Sequence, residues 1–439
     1  MHIAIVGSGI SGLVCARMLS REHDVTVFEA DSRVGGHSNT VDVRLGNEVH
    51  PVDTGFIVYN KRTYPNFTRM LRDLDVSTAP TSMSFSVRCD RTGLEYNGSS
   101  LNGLFAQRRN LIQPGFYRML ADIARFNREG ARDFYHVAPD TTVAEYLAEG
   151  NYSGNFARHY LLPMGAAIWS CPFDDFSRFP IKFILEFYIN HGLLSLRDRP
   201  VWRTVKGGSR SYVDRLTTPF RNNIRLDCPV SQVRRFSDHV SVRHSLGEDR
   251  FDEVVFACHS DQALRILADA DDAESEVLSA FPYSQNTAVL HTDESLLPKR
   301  RRAWASWNYH IRDESSVRPT LTYNMNILQR IKSEQTICVT LNEDDLIAPE
   351  KILKRFRYSH PIFTSRRSEY QARHGQFIRR RRTSFCGAYW RNGFHEDGVV
   401  SGLAVCERYG MTNGTSFEEN NPPIACVSGM TSRHEEQFQ

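Results

Sequence analysis

A short unbroken apolar run, His2-Ile3-Ala4-Ile5-Val6, opens the chain with the pattern of a parallel strand buried on both faces. It leads into Gly7-Ser8-Gly9-Ile10-Ser11-Gly12, after which Leu13, Ala16 and Leu19 return at helical spacing. A second apolar run, Val25–Phe28, ends on Glu29. The pattern is strand, glycine turn, helix, strand. Near the far end Ser384–Tyr389 reads as a strand, and Gly393–Gly398 leads into Val399–Glu407 with apolar residues at helical intervals. Between them, Trp202–Ser209 precedes a helical stretch at Tyr212–Leu216 and strand-like pieces at Asn223–Leu226, Val230–Phe236, Val240–His244 and Phe251–Ala257. Residues 61–199 carry helix-like patterns rich in aromatics, and 263–375 mix strands with helices.

The glycine turn meets the demands of a dinucleotide site. Gly7 allows the tight turn, Gly9 lets the backbone approach a pyrophosphate, and Gly12 lets helix and strand pack closely. Free N–H groups at the helix start then face the phosphates. Glu29 follows Gly9 at the distance where a carboxylate accepts from an adenosine ribose. At 439 residues the chain has room for two or three domains, at roughly 150 residues each. The net charge of +3 is too small for a dedicated nucleic-acid binder. Only seven of the 54 basic residues are Lys, so few side chains suit amine catalysis. Nine scattered cysteines with no C-x-x-C spacing argue against a disulfide framework or zinc site and for free thiols in a reducing compartment. No metal cluster or nucleophile triad stands out. No apolar run approaches the roughly 18–20 residues that span a bilayer, and the first residues read as a strand rather than a leader, so a cytoplasmic location is expected.

Asp31-Ser32-Arg33-Val34-Gly35-Gly36-His37 follows the ribose-binding strand, where a simple NAD domain needs neither the Gly pair nor the Arg. Glu29–Thr40 resembles the E-A-x-x-R-x-G-G-R/H-x-x-T signature of flavoproteins in the amine oxidase and phytoene desaturase superfamily. The resemblance implies tightly held FAD. Gly7, Gly9, Ile10, Ser11, Gly12, Glu29 and Ala30 would surround its adenosine and phosphates, and Arg33, Gly35, Gly36 and His37 would line the pyrophosphate and ribityl chain. It further implies a backbone contact to adenine near Val230, a turn at Asp53–Gly55 passing near the flavin, and a last helix whose N-terminus faces the pyrimidine ring. That last segment brings Gly387, Ala388, Glu396, Asp397, Gly398 and Val399 to the cofactor. Ala388 departs from the pattern, since relatives usually hold the ribityl chain with an acid there. Glu396 or Asp397 can substitute, or either can simply cap its helix.

The expected fold is α/β: a discontinuous Rossmann-like FAD-binding domain (1–60, 200–262 and 376–412) interleaved with an α+β substrate domain (61–199 and 263–375), amine-oxidase-like, with 413–439 as a polar flexible tail. Val52–Asn60, Pro163–Ser170, Trp304–Tyr309 and Tyr323–Asn326 resemble a bacterial-type group of predicted NAD/FAD-binding proteins within this superfamily, over roughly residues 1–410.

What the superfamily resemblance implies is hydride removal from carbon to flavin N5 in a water-poor aromatic pocket. Amine oxidases often carry a Lys at the start of the strand matched here by Thr287–His291, which Gln285-Asn286 precedes without one. An amine is therefore less favoured than a lipid acyl chain or other hydrophobic small molecule. A flavin amine oxidase and a non-catalytic binding protein like the GDP-dissociation inhibitors remain alternatives. Group members are associated with fatty-acid modification. Phe179–Leu196 is a candidate channel wall or an ordinary core helix, and Lys299–Arg302 and Arg379–Arg382 are candidates for peripheral contact with anionic lipid headgroups or plain solvated faces. The candidate catalytic residues are His395, for proton transfer, and Asn308 and Tyr309, for the pocket wall; structural roles compete for all three.

Overall fold

The computed structural model describes residues 1–169, 171–194, 199–312, 320–362, 364 and 366–411. The proposed tail at 413–439 lies outside the described residues. Five parallel strands form the nucleotide-type sheet: β1 (His2–Val6), β2 (Asp24–Phe28), β3 (Ile224–Arg225), β4 (Glu253–Phe256) and β5 (Thr383–Phe385), in the order β3-β2-β1-β4-β5. Ile3–Val6 pair in register with Val25–Phe28 on one side and Glu253–Phe256 on the other. Strands from the three separated sequence segments thus share one sheet. The continuous apolar runs follow from this, because a central parallel strand is covered on both faces.

Four helices matter for the site: α1 (Ile10–Leu19), α2 (Pro65–Asp73), α3 (Arg210–Thr217) and α4 (His395–Arg408). Every residue of α1 is buried. It packs against α4, where an added Cβ on Gly398 would lie 2.6 Å from Ile10 Cγ2 and one on Gly402 would lie 2.8 Å from Ser11 O. Only glycines allow this crossing. A three-stranded antiparallel meander, Val230–Arg235, Val240–His244 and Gly247–Phe251, is attached beside the parallel sheet.

The second sheet has seven strands in the order Ile352–Pro361, Tyr283–His291, Cys338–Leu341, Leu321–Asn324, Trp307–Ile311, Phe85–Cys89, Leu94–Asn97. Its apolar face and the helices of 114–190 share an aromatic-rich core. The apolar stretch read at Phe179–Leu196 forms a helix over Ile181–Asn190 whose Ile181, Ile184, Leu185 and Tyr188 are buried in that core. The strand read over Ser384–Tyr389 is shorter, Thr383–Phe385, because the chain turns into a 3-10 helix at Ala388–Trp390.

The cluster Arg379–Arg382 is not a free basic face. Arg379 pairs with Glu253 at 2.6 Å, Arg380 with Asp271 at 2.8 Å and Arg381 with Asp269 at 3.1 Å, while Arg382 donates to Ser237 O at 2.8 Å. Arg379, Arg381 and Arg382 hold positive φ of 56°, 49° and 65°, a costly backbone for arginine, and the side-chain contacts of all three tie them to the fold. All eight cysteines among the described residues are free.

Candidate active site

The sequence-predicted cofactor residues converge at the C-terminal ends of the parallel strands, where open α/β sheets place their ligands. Gly7, Gly9, Ile10, Ser11 and Gly12 turn the chain from β1 into α1, and no side chain caps that helix. A Cβ on Gly9 would meet nothing within 4 Å, so its outer side is open. The Arg33–His37 loop folds back over this turn: Gly35 N donates to Ser8 O at 3.0 Å, and Arg33 Nη1 donates to Gly36 O at 2.9 Å. Gly36 has φ +57°, and a Cβ there would come within 3.2 Å of Gly9 Cα. The close approach of two backbones explains the Gly pair.

Glu29 ends β2 half-exposed, with Ala30 exposed beside it. Glu29 Oε2 accepts from Ser8 N at 2.9 Å and from Ser8 Oγ, and Oε1 accepts from Asp31 N at 2.9 Å, so the carboxylate is oriented before any ligand arrives. Cys228 N donates to Glu29 O at 2.8 Å, which brings the start of the meander, and Val230 with it, to the same end of the sheet. Gly55 lies against the His37 carbonyl, where a Cβ would clash at 2.3 Å, and Phe56 N donates to that carbonyl at 2.7 Å. Gly387 N is held by Ser401 Oγ at 2.9 Å, and Ala388 Cβ would be 4.0 Å from a Cβ on Gly398. Gly398 and Val399 form the first turns of α4, against the start of α1. Two helix N-termini therefore share one cleft.

The carboxylates of Glu396 and Asp397 are both used by backbone. Glu396 Oε1 accepts from Asn66 N at 3.0 Å and Asn66 Nδ2 at 2.8 Å, and Oε2 accepts from Phe67 N at 2.9 Å, so Glu396 caps α2 from a different part of the chain. Asp397 Oδ2 accepts from Phe394 N at 2.9 Å, at the start of its own helix. Burial raises the Glu396 carboxyl above its usual value and pushes Asp397 up to about 6. Both take the capping alternative, which leaves neither in the ribityl role.

His395 opens α4 and is buried. Its ring stacks on Phe56 at 3.7 Å and 10°, meets Phe67 edge-on at 5.1 Å, and places Nε2 2.6 Å from the Tyr212 hydroxyl. Tyr212 in turn hydrogen-bonds Ser38 Oγ. This chain of three side chains ties together α4, α3 and the loop after the Gly pair, one from each segment of the nucleotide domain. Burial lowers the His395 imidazole to about 3, so it is neutral at ordinary pH and positions these helices. Sequence reasoning missed Ser38 and Tyr212; the glycine turn just before Tyr212 was the available signal.

Asn308 and Tyr309 lie in the seven-stranded sheet. Asn308 Nδ2 donates to Ala305 O at 2.7 Å and Thr322 O at 3.0 Å, while Oδ1 accepts from Ser86 Oγ at 2.8 Å and Ala305 N at 2.9 Å. The amide has no donor left for a substrate, and it stitches three chain segments instead. Tyr309 is buried and stacked on Phe173 at 5.7 Å and 13°, a packing contact.

His37, read from the sequence as a cofactor residue, is joined by two histidines that sequence reasoning passed over, His259 and His360. His37 stacks on Tyr358 at 4.9 Å, with His360 edge-on at 5.3 Å and His259 at 6.5 Å. His360 Nδ1 lies 2.9 Å from Asn286 Nδ2, whose Oδ1 accepts from Asn342 Nδ2 at 2.7 Å. Burial, then the neighbouring histidines, hold His37 well below its usual pKa; burial lowers His360 to about 4. His37 Nε2 is buried without a hydrogen-bond partner in the protein. The open Gly9 turn, the uncapped helix, the oriented Glu29 and this orphaned ring nitrogen fit FAD: anion-binding N–H groups, a ribose acceptor and a spare polar atom lie along one cleft.

These features define a dinucleotide-binding flavoprotein. A family model described as flavin containing amine oxidoreductase matches residues 10–306, more than half of the chain. The chain belongs to this family, and its cofactor is FAD. A Mycobacterium tuberculosis protein named provisionally as the flavin-containing monoamine oxidase AofH is 24% identical over 273 residues, covering 58% of this chain and 56% of that one. The chain thus matches just over half the length of that curated relative. Among solved structures, cyclohexylamine oxidase from Brevibacterium oxydans superposes with a TM-score of 0.65 at 14% identity, covering 93% of this chain and 99% of that chain. A fatty acid isomerase from P. acnes that produces CLA gives 0.64 at 16% identity, covering 93% and 98%. The likeness to both establishes the fold.

Proposed function

We propose that the protein is an FAD-dependent oxidoreductase that removes a hydride from a C–H bond of a hydrophobic substrate of the acyl-chain class. What supports the substrate class is the aromatic cluster around Phe394, the residue just before α4. Phe394 stacks on Phe187 at 5.0 Å and 21°, Phe187 stacks on His191 at 3.8 Å, and Trp169 meets Phe187 at 4.9 Å. Burial lowers His191 to about 4, so that ring is neutral at neutral pH. Such a cluster favours an uncharged chain. Each buried methylene gains roughly 0.8 kcal/mol, whereas an ammonium buried without a partner costs several kcal/mol.

FAD, when bound, supplies the hydride acceptor at N5. The chain's own residues would do the rest: the Gly7–Gly12 turn and the N-terminus of α1 would hold the phosphates, the N-terminus of α4 would favour negative charge at the pyrimidine ring, Glu29 would hold the ribose, and the aromatic residues would exclude water and orient the C–H bond. No lysine is available as an internal amine-handling base, since all seven are exposed or half-buried.

Anaerobic mixing with membrane lipids, free fatty acids and amines tests this reading. Bleaching of the flavin by an acyl compound and by none of the amines is expected. Bleaching by amines alone would establish the second reading, a flavin amine oxidase, which the names of AofH and cyclohexylamine oxidase support. Bleaching by nothing, with prenylated or acylated proteins bound, would favour a non-catalytic binding protein.

A further inference from the structure

We propose that the face built from residues 101–118 and 298–304 docks on an anionic lipid surface. The two segments touch: the short helix Leu101–Leu104 packs on the 3-10 turn Arg301–Ala303, and Asn97 Nδ2, at the end of the adjoining strand, donates to Trp304 O at 2.8 Å. Together they hold seven cations, Arg108, Arg109, Arg118, Lys299, Arg300, Arg301 and Arg302, and no Asp or Glu. The carboxylates facing them from neighbouring elements are few. Glu95 is buried and accepts from the backbone N–H groups of Lys299 and Arg300, Glu294 pairs with Arg301 at 3.2 Å, and Asp122 pairs with Arg118 at 3.4 Å.

Large apolar side chains of the first segment are exposed: Leu101 is 77% exposed, Leu111 47%, Ile112 84% and Tyr117 46%. Tyr117 OH donates to Leu111 O at 3.0 Å, which holds Tyr117 beside this apolar tip. Exposed aliphatic side chains in segments rich in cations are what a bilayer of anionic lipids receives: the aliphatic tips enter the acyl region while the guanidinium groups meet the headgroups. The charge complementarity selects that occupant. A second copy docking through this same face would oppose seven cations to seven, and like charge disfavours it. Arg379–Arg382, equally basic in sequence, carries no such surface because Arg379, Arg380 and Arg381 are ion-paired within the fold and Arg382 donates to Ser237 O. Docking stands independently of which substrate the flavin site takes.

Co-sedimentation of the full chain with phosphatidylcholine vesicles, with and without phosphatidylglycerol, tests the proposal. The protein should pellet with the anionic vesicles only and be released by salt. Arg300→Ser/Arg301→Ser/Arg302→Ser should weaken binding roughly fivefold per arginine, about a hundredfold together. Leu111→Ser/Ile112→Ser should weaken it about tenfold or more. Both variants alter exposed side chains and should melt as the wild type does. Three results would overturn the proposal: no pelleting with anionic vesicles, equal pelleting with neutral ones, or affinity indifferent to both variants. Self-association lost in the Leu111→Ser/Ile112→Ser variant, without vesicle binding, would assign the face to a second copy instead.

Discussion

Gly402→Ala is expected to loosen the cofactor's grip although Gly402 belongs to none of the glycine motifs legible in the sequence. The new Cβ would sit 2.8 Å from Ser11 O and 3.2 Å from Val14 Cγ1, where ordinary contact begins at 3.4 Å. Helix α4 must therefore move about 0.6 Å from the backbone of α1, because a main-chain oxygen cannot swing aside. Two effects oppose each other. Alanine in a helix interior gains about 1 kcal/mol over glycine, while overpacking costs about 1–3 kcal/mol. The net is a destabilisation of roughly 0–2 kcal/mol in the apoprotein. The cofactor feels the shift more directly, since the same movement separates the two helix N-termini. Each N-terminus contributes about 0.3–2 kcal/mol toward an anion, so FAD affinity should fall roughly three- to tenfold. Thermal melting of the apoprotein and titration with FAD, followed by flavin fluorescence, measure the two parts. A higher melting temperature with unchanged FAD affinity would refute the tight crossing.

Three further predictions follow from the same geometry. Glu29→Ala should weaken FAD binding by roughly tenfold or more, the worth of charge-assisted hydrogen bonds at the ribose, and an unchanged titration would remove Glu29 from the site. Glu396→Ala strips three hydrogen bonds from the start of α2 and should cost about 1–3 kcal/mol; hydrogen exchange at Asn66 and Phe67 should accelerate, with Glu396→Gln rescuing part of the loss. Asp397, at about 6 in the fold against a usual value near 3.9, binds its proton more tightly when native, so its contribution to stability is full at low pH and falls by up to about 3 kcal/mol as pH rises through 6. Buried His395, His191 and His360, with lowered values, act in the opposite sense. The readout is therefore the difference between wild type and Asp397→Asn in chemical denaturation at acid and neutral pH; a pH-independent difference would contradict the burial of that carboxyl.

Much of the nucleotide half was legible because its constraints are local. A buried parallel strand must be apolar throughout, the turn after it needs glycine, and the acid at the end of β2 sits at a fixed distance along the chain. The Gly pair at 35–36 was readable for the same reason, since Gly36 must clear Gly9. What escaped depends on partners distant in sequence. Glu396 looked like a cap for its own helix and caps α2 instead, 330 residues away. Asn308 read as a pocket-wall candidate, yet its amide is consumed by Ala305, Thr322 and Ser86. The two basic clusters were indistinguishable as strings; acids at 253, 269 and 271 pair with three of the four arginines in one, whereas in Lys299–Arg302 only Arg301 forms a side-chain ion pair among the described residues, with Glu294. His259 and His360 had no motif because separate segments deliver them to His37.

The central claim is that three separated segments fold into one FAD site, and the flavin content of the purified chain tests it most directly. Denaturation should release one FAD per chain with the flavin absorption bands, and apoprotein should recover them on adding FAD. A colourless chain that takes up no added FAD would contradict the account.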